Sequence, residues 1–448
     1  MSPKNKKTTR LLSPLLIFLC LFILSLQPAL GSSAQEPDEK EEKGDKKSSE
    51  TEYPEKLKSE ETWETLINIP GKILFIPFWL MDKALAPILS WVGVAPQVTS
   101  KIARLLVSAD GKRGLLPSTS DRTGFGLKFF QKDLITPGSH LDLTVRAGIS
   151  WRQFCRLRLR DFRLGGPLVT EFYAHYMYLP TERFYGIGND SQKENESNFS
   201  HLQIMAEAFL GTYLGQSTKS GLVFGLARNI ISEGKRSGVI STTDLRPDVK
   251  EKIPGLDEKI NYLLVQFNLV HDSRNRLGNP SAGWEIDLQG GLYRGTGNAE
   301  YGFWKASADF RKYQHLFYDR VLVLRIAAEI TEPKEDLQIP FYYLSELGRR
   351  ETIRGFRRGR FRDEDLILSS LEYRYPVMIR DNFELGVDAL LFVDAGQVAS
   401  DIFRQFSMKE FHVGFGGGLR IYSKNGRIFQ ILAGKSSDGL RFYIGLYD

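Results

Sequence analysis

Cysteine is nearly missing from this chain of 448 residues, which carries only two. Cys20 lies deep in an apolar N-terminal run, too deep for a lipidation site, so Cys155 is the one cysteine left for a mature protein. An intramolecular disulfide and a cysteine-ligated metal cluster are thereby excluded. Catalytic signatures are missing as well: there is no H-E-x-x-H, no G-x-S-x-G and no phosphate-binding P-loop. The six histidines are scattered, and His175 and His412 read as ordinary polar residues. No catalytic residue, metal site or small-molecule cofactor is expected. Beyond the N-terminus no apolar stretch is long and uninterrupted enough to cross a bilayer as a helix. In a chain rich in short alternating segments, that absence points to crossing by strands closed into a barrel.

What is present begins with an export signal over residues 1–34. Lys4, Lys6, Lys7 and Arg10 form its basic start and Leu11 to Leu30 its apolar run. Ala29-Leu30-Gly31 or Ser32-Ser33-Ala34 offers the small residues of a cleavage site. The other reading of the run is an uncleaved membrane anchor. The signal also supplies part of the formal net charge of +6, so that charge says little about partners. Residues 35–62 are rich in Lys, Glu and Ser, cannot bury a core and read as a flexible tether. Composition changes sharply over 63–110, where Ile73, Phe75, Phe78, Trp79 and Trp91 fall among breaks at Pro70, Pro77 and Pro87. One or two short amphipathic periplasmic helices fit this pattern, either at the membrane interface or bracing the periplasmic end of the barrel.

From residue 111 to 448 the period is two. Leu141, Leu143 and Val145 oppose Asp142, Thr144 and Arg146, and Leu157 and Leu159 alternate with Arg156, Arg158 and Arg160. Each of those arginines would cost about 2–4 kcal/mol against lipid at the midplane, so they must face a wet interior. The same holds for Glu285, Asp287 and Gln289, opposite Trp284, Ile286 and Leu288. The resulting fold class is all-β: a transmembrane antiparallel β-barrel of about sixteen strands. A strand is expected at 317–330, and a short opener near 113–118 contains Pro117 and pairs weakly. With that short opener counted as the first strand, the long connections 180–198, 232–259, 331–365 and 395–409 all follow odd-numbered strands; without it they would lie on the periplasmic side. That parity fits an even-stranded barrel with both ends in the periplasm.

One connection, 331–365, is too long and too charged for a turn. Arg349, Arg350, Arg354, Arg357, Arg358, Arg360 and Arg362 make it basic, but an exported barrel meets no nucleic acid. The strand after it sets Ser370, Glu372 and Arg374 on one face, and the next ends Phe392-Val393-Asp394-Ala395-Gly396. Glu372 and Asp394 both fall on the lumen-facing parity. A loop folded inward would bring Arg354 between them in charge-assisted, bidentate bonds. Gly355 would allow the tight turn beside it, and Phe356 would anchor the tip. On the facing wall Gly414, Gly416 and Gly418, on the parity of Arg420, would leave the loop room to approach. They lie in a strand with no helix after it, which rules out a dinucleotide loop.

These residues resemble the BamA/TamA outer-membrane protein superfamily, also called the bacterial surface antigen family. Its loop tip [IVL]-R-G-[FY] is here Ile353-Arg354-Gly355-Phe356. Its L-E-x-R-x-P strand is Leu371 to Pro376, and its F-x-D-x-G strand is Phe392 to Gly396. The order, the spacing and the C-terminal strand together carry the resemblance, over roughly the last three-quarters of the chain. In that last strand Leu440, Phe442, Ile444 and Leu446 make an apolar face and Tyr447 sits near an interface, like the recognition strand of outer-membrane proteins. The resemblance implies that the Arg354 contact holds the loop inside the barrel. It also implies that the first and last strands pair weakly and open sideways. The implied function is insertion or translocation of proteins, or of lipid, with outer-membrane lipid and client proteins as partners. Relatives carry POTRA modules of roughly 75 residues, about the size of a small domain. The N-terminal part of this chain is expected to hold none, which leaves a passive pore or structural barrel as the competing function and an outer-membrane enzyme as a third.

Overall fold

The computed structural model describes residues 106–448, apart from Leu277, 298–299, 381–384, 424–425 and 447–448. The signal, the tether and nearly all of the 63–110 segment lie outside the described residues.

Sixteen strands form one antiparallel sheet. They are β1 (Arg113–Ser120), β2 (Gly124–Lys132), β3 (His140–Gly148), β4 (Arg152–Gly165), β5 (Leu168–Phe184) and β6 (Ser197–Leu214). Then come β7 (Thr218–Glu233), β8 (Lys259–Asp272), β9 (Gly283–Thr296), β10 (Gly302–His315) and β11 (Val321–Pro333). After two three-residue strands, β12 (Ser345–Leu347) and β13 (Phe361–Asp363), the barrel resumes with β14 (Asp365–Arg380) and β15 (Leu385–Ala399). It ends with β16 (His412–Ser423), β17 (Gly426–Ser436) and β18 (Gly439–Leu446). Each barrel strand pairs with its neighbours in sequence, and β12 and β13 pair only with each other.

The alternation of the sequence becomes the two faces of this wall. Phe125, Leu127 and Phe129 on β2, Leu263, Val265 and Phe267 on β8, and Phe442 and Ile444 on β18 are exposed outward. The polar parity turns in, where Arg160 meets Asp142 at 2.8 Å and Arg311 meets Asp309 at 3.0 Å. Charges that lipid would reject are thus paired inside a wet lumen. No helix among the described residues is long and apolar enough to cross a membrane; the strands do the crossing.

The ladder runs unbroken from β1 to β18 but does not close on itself. β1 and β18 lie side by side without a shared ladder among the described residues, so the barrel is nearly closed. Both are eight residues long. The expectation for β1 needs refining, because it pairs with β2 along its full length, Pro117 opposite Leu127. Proline is tolerated there because β1 is an edge strand. The missing ladder is on its other side.

The strand expected at 317–330 begins later, at Val321. Leu316 N–H donates to the Arg320 carbonyl at 2.8 Å, and Tyr318 and Asp319 take positive φ, so 316–320 is a tight turn. At the long-loop end the connections fold into the barrel. A core of Phe184, Phe199, Tyr262, Phe303, Phe341 and Leu344 packs wall against loop.

Candidate functional site

The loop between β11 and β14 turns back into the lumen, with its tip against β14 to β18. Two forces place it. Ile353 and Phe356 are fully buried in one apolar cluster with Leu347, Phe361, Leu366, Leu368 and Val398, worth about 1.5–3 kcal/mol for each large side chain. Between them sits Arg354, with 7% of its surface exposed. Gly355 takes φ +102°, where a side chain would strain the backbone and strike the carbonyl of Lys435.

Arg354 is held from four directions. Its Nε donates to Asp394 Oδ2 at 2.7 Å and its Nη2 to Asp394 Oδ1 at 2.6 Å, a bidentate pair. Its backbone N–H donates to the same Asp394 Oδ2 at 2.9 Å. Nη1 reaches Glu372 Oε2 at 3.2 Å, and Nη2 also reaches Ser370 Oγ at 3.2 Å. The guanidinium carbon lies 3.5 Å from the centre of the Phe392 ring. Burial works against its charge, but Asp394 and then Glu372 outweigh burial and hold the guanidinium above its ordinary value. Glu372 is shared further: its Oε1 accepts from Arg374 Nε at 2.7 Å and from Arg420 Nη2 at 3.2 Å.

A buried ion cluster of this kind adds little net stability, because desolvation offsets much of the attraction. Its effect is positional. Only one placement of the tip satisfies Asp394 and Glu372 together, so the cluster fixes the loop's register on the wall.

The structure brings together Ile353, Arg354, Gly355, Phe356, Glu372, Asp394 and Arg420, and sets Gly396 beside Ile353 and Leu347. The three wall glycines divide. Gly414 makes room for the loop, since a Cβ there would lie 1.8 Å from the Arg354 carbonyl oxygen. Gly416 instead backs onto the Ala433 carbonyl of β17 and the Phe392 ring, and Gly418 backs onto the β17 backbone and Leu432. The general clearance expected of all three is thus confined to Gly414. Gly434 on β17 is the second clearance, with Gly355 N only 2.9 Å from where a Cβ would sit. On β18 Phe442 and Ile444 point outward, Leu446 closes the strand and Tyr447 is not among the described residues.

Sequence reasoning missed a second set of holders. Tyr443 Oη accepts the Gly355 N–H at 2.8 Å, and Ser436 Oγ donates to the Gly355 carbonyl at 2.9 Å. A signal existed: with Leu440, Phe442 and Ile444 outward, Tyr443 had to face the lumen. Farther along the loop, Arg357 Nη1 meets Glu196 at 2.5 Å, Arg360 meets Asp438 at 2.9 Å and Arg362 pairs with Glu346. Glu196 also accepts from Arg183 and Arg236, tying three long connections to one carboxylate. Among the described residues no cluster of three His, Cys, Asp or Glu side chains could hold a metal ion. Cys155 is free and exposed.

A nearly closed sixteen-stranded barrel whose lumen is occupied by an inward loop defines a class of outer-membrane protein. The family model described as the Omp85 superfamily domain matches residues 106–433, and the chain belongs to that superfamily. Among solved structures it is similar to BamA from Haemophilus ducreyi lacking POTRA domains 1–3, at 15% identity with a TM-score of 0.55. That alignment covers 74% of this chain and 69% of the other. CdiB from Escherichia coli aligns at 13% identity with a TM-score of 0.48, over 74% of this chain and 61% of its own length. CdiB from Acinetobacter baumannii aligns at 14% identity and 0.44, over 74% and 58%. At such identities the likeness is one of fold. No curated protein matches the chain.

Proposed function

We propose that this barrel takes part in inserting or translocating other proteins at the outer membrane, with the β1–β18 seam as the place that opens. The observation that carries the reading is a pairing of opposites. The lumen is occupied by a loop with many bonds, while two short strands lie side by side with no ladder between them among the described residues. Unpaired strand edges are templates for another strand, so a seam of this kind can accept the edge of a client chain. Membership in the Omp85 superfamily supports the same reading.

On this reading outer-membrane lipid surrounds the wall, and client outer-membrane or exported proteins are the transient partners. The long connections face outward, and both barrel ends lie in the periplasm. Residues 1–34 direct export, 35–62 tether, and 63–110 form an amphipathic periplasmic segment ahead of the barrel. The Arg354 cluster keeps the loop in its lumen position while the seam works.

Reconstitution tests this. In a Cys155→Ser background, a disulfide introduced between β1 and β18 should abolish acceleration of client-barrel folding in proteoliposomes, and reductant should restore it. Planar-bilayer recordings of the wild type should show small, fluctuating currents. Large steady currents, with folding indifferent to the locked seam, would mean a passive pore and sink the proposal.

A further inference from the structure

Nine arginines line one chamber inside the long-loop end of the barrel, beside the seam. The chamber has a volume of about 200 Å³ and three acidic residues in its lining, Asp121, Glu182 and Glu346. Its floor is the basic loop after the Arg354 tip, its roof the β1–β2 turn with Arg122, and its walls the starts of β4 and β18 and the end of β5.

The charges do not balance. Arg122 is satisfied by Glu182 at 3.0 Å, Arg358 by Asp121 at 2.9 Å and Arg362 by Glu346. Arg183 and Arg357 share Glu196, which stands outside the lining, and Arg349 and Arg350 lean on Glu351 at 3.9 and 3.4 Å. Five carboxylates therefore serve seven of the nine guanidiniums. Arg152 and Arg441 have no carboxylate within salt-bridge distance among the described residues, and the Nε of each is buried without a hydrogen-bond partner. The two Nη atoms of Arg152 are spent on neutral oxygens, the Arg122 carbonyl at 3.2 Å and Thr181 Oγ1 at 3.1 Å.

A surplus of cations in a walled cavity focuses a positive potential, and it is costly unless an anion completes it. Guanidinium forks match the tetrahedral oxygens of phosphate in bidentate fashion better than any other side chain does. The cavity has room for one phosphate or diphosphate with a few waters. We infer that this chamber binds a phosphate-bearing anion, held by Arg152 and Arg441 from the wall and by Arg357 and Arg358 from the loop.

The chemistry is shared by a free phosphate and by the phosphorylated headgroup of a glycolipid entering beside the seam. Either would bridge β18, through Arg441, to the β1–β2 turn, through Arg358 and its partner Asp121. Anion binding here does not depend on whether the barrel moves client chains, so the two readings fail separately.

The full chain in detergent is titrated with inorganic pyrophosphate by calorimetry, against sodium chloride at equal ionic strength. Saturable binding is expected for the wild type. In Arg152→Gln/Arg441→Gln it should weaken about tenfold or more, the loss of at least one charge-assisted bond. Because that double variant can fail to fold, the wild type is also treated with phenylglyoxal and mapped by mass spectrometry. Pyrophosphate should protect Arg441 and Arg152, while Arg246, exposed outside the chamber, stays reactive. Micelles carrying a diphosphorylated glycolipid, beside the same lipid dephosphorylated, separate the sources. Protection by the phosphorylated lipid assigns the site to a headgroup, and protection by pyrophosphate alone assigns it to a free anion. Equal heats in chloride, or no protection of Arg441 by any phosphate, would overturn the inference.

Discussion

The wall from β14 to β15 and the seam from β18 to β1 are built to opposite rules. β14 and β15 pair over fifteen positions, and their lumen faces supply Glu372, Asp394 and Ser370 to a single guanidinium. At the seam two eight-residue strands share no ladder among the described residues. The loop tip joins these regions. Its side chain, Arg354, belongs to the wall, while its backbone at Gly355 is held by Ser436 and Tyr443 from β17 and β18. A last strand with one ladder partner among the described residues thereby gains a second attachment, through the lumen. The difference teaches that the tip cluster braces the weak edge of the barrel from its strong side.

The sharpest way to break that arrangement is Arg354→Ala. It leaves Asp394 and Glu372 buried with the loop cation gone, and breaking a buried pair costs about 3–5 kcal/mol. The loop should come free, protease should cut within 349–360, and the barrel should lose heat resistance on unheated gels. Arg354→Lys keeps the charge but not the fork, so an intermediate loss is expected. Unchanged melting with unchanged protease access would remove the tip as a brace.

A smaller effect separates clearance from charge. Gly434→Ala puts a methyl 2.9 Å from Gly355 N and 3.2 Å from the Arg354 carbonyl carbon, so the tip must shift, at about 1–3 kcal/mol. Gly290→Ala on β9, where nothing lies within 4 Å, is the control and should stay within about 0.5 kcal/mol. Tyr443→Phe is milder still. It removes the acceptor of the Gly355 N–H, worth about 1 kcal/mol, and should raise amide exchange along β17–β18 while leaving β14–β15 unchanged. Equal exchange in both pairs would mean that the tip does not brace the edge.

Most of the barrel was legible because lipid and water impose a period of two on every crossing strand, and loop parity then fixes an even count. The Arg354 cluster was legible for the same reason: Glu372 and Asp394 could only face inward. Position-specific clearances were not. Gly416 and Gly434 look alike in sequence, yet one meets a ring on the neighbouring strand and the other meets the loop, and only the register of β16 on β15 and β17 decides which. The sequence also gave no hint that β12 and β13 would pair inside the lumen, because three-residue strands carry too little pattern to read.

The smallest effect concerns pH at the rim where β13 passes into β14. Glu364 lies between them, and burial, then Asp363, Glu332 and Asp365, push its carboxyl up to about 7. Its folded value is therefore above its unfolded one, and the fold holds this proton more tightly than the open chain does. The sign follows from linkage: the stabilising contribution is complete below the unfolded value of 4.5 and is lost as pH rises toward 7. Glu346, half-buried against Arg362, runs the other way: desolvation raises its carboxyl, but Arg362 and Arg122 outweigh it and bring it to about 2. Its contribution is therefore intact at neutral pH and lost only in strong acid. Between pH 5.5 and 8 the rim should loosen as pH rises, seen as faster proteolysis of the 400–411 connection. Glu364→Gln should flatten that slope and slow cleavage at pH 8. A slope that survives the substitution would assign the pH response to other groups and leave the strong side of the barrel indifferent to this carboxyl.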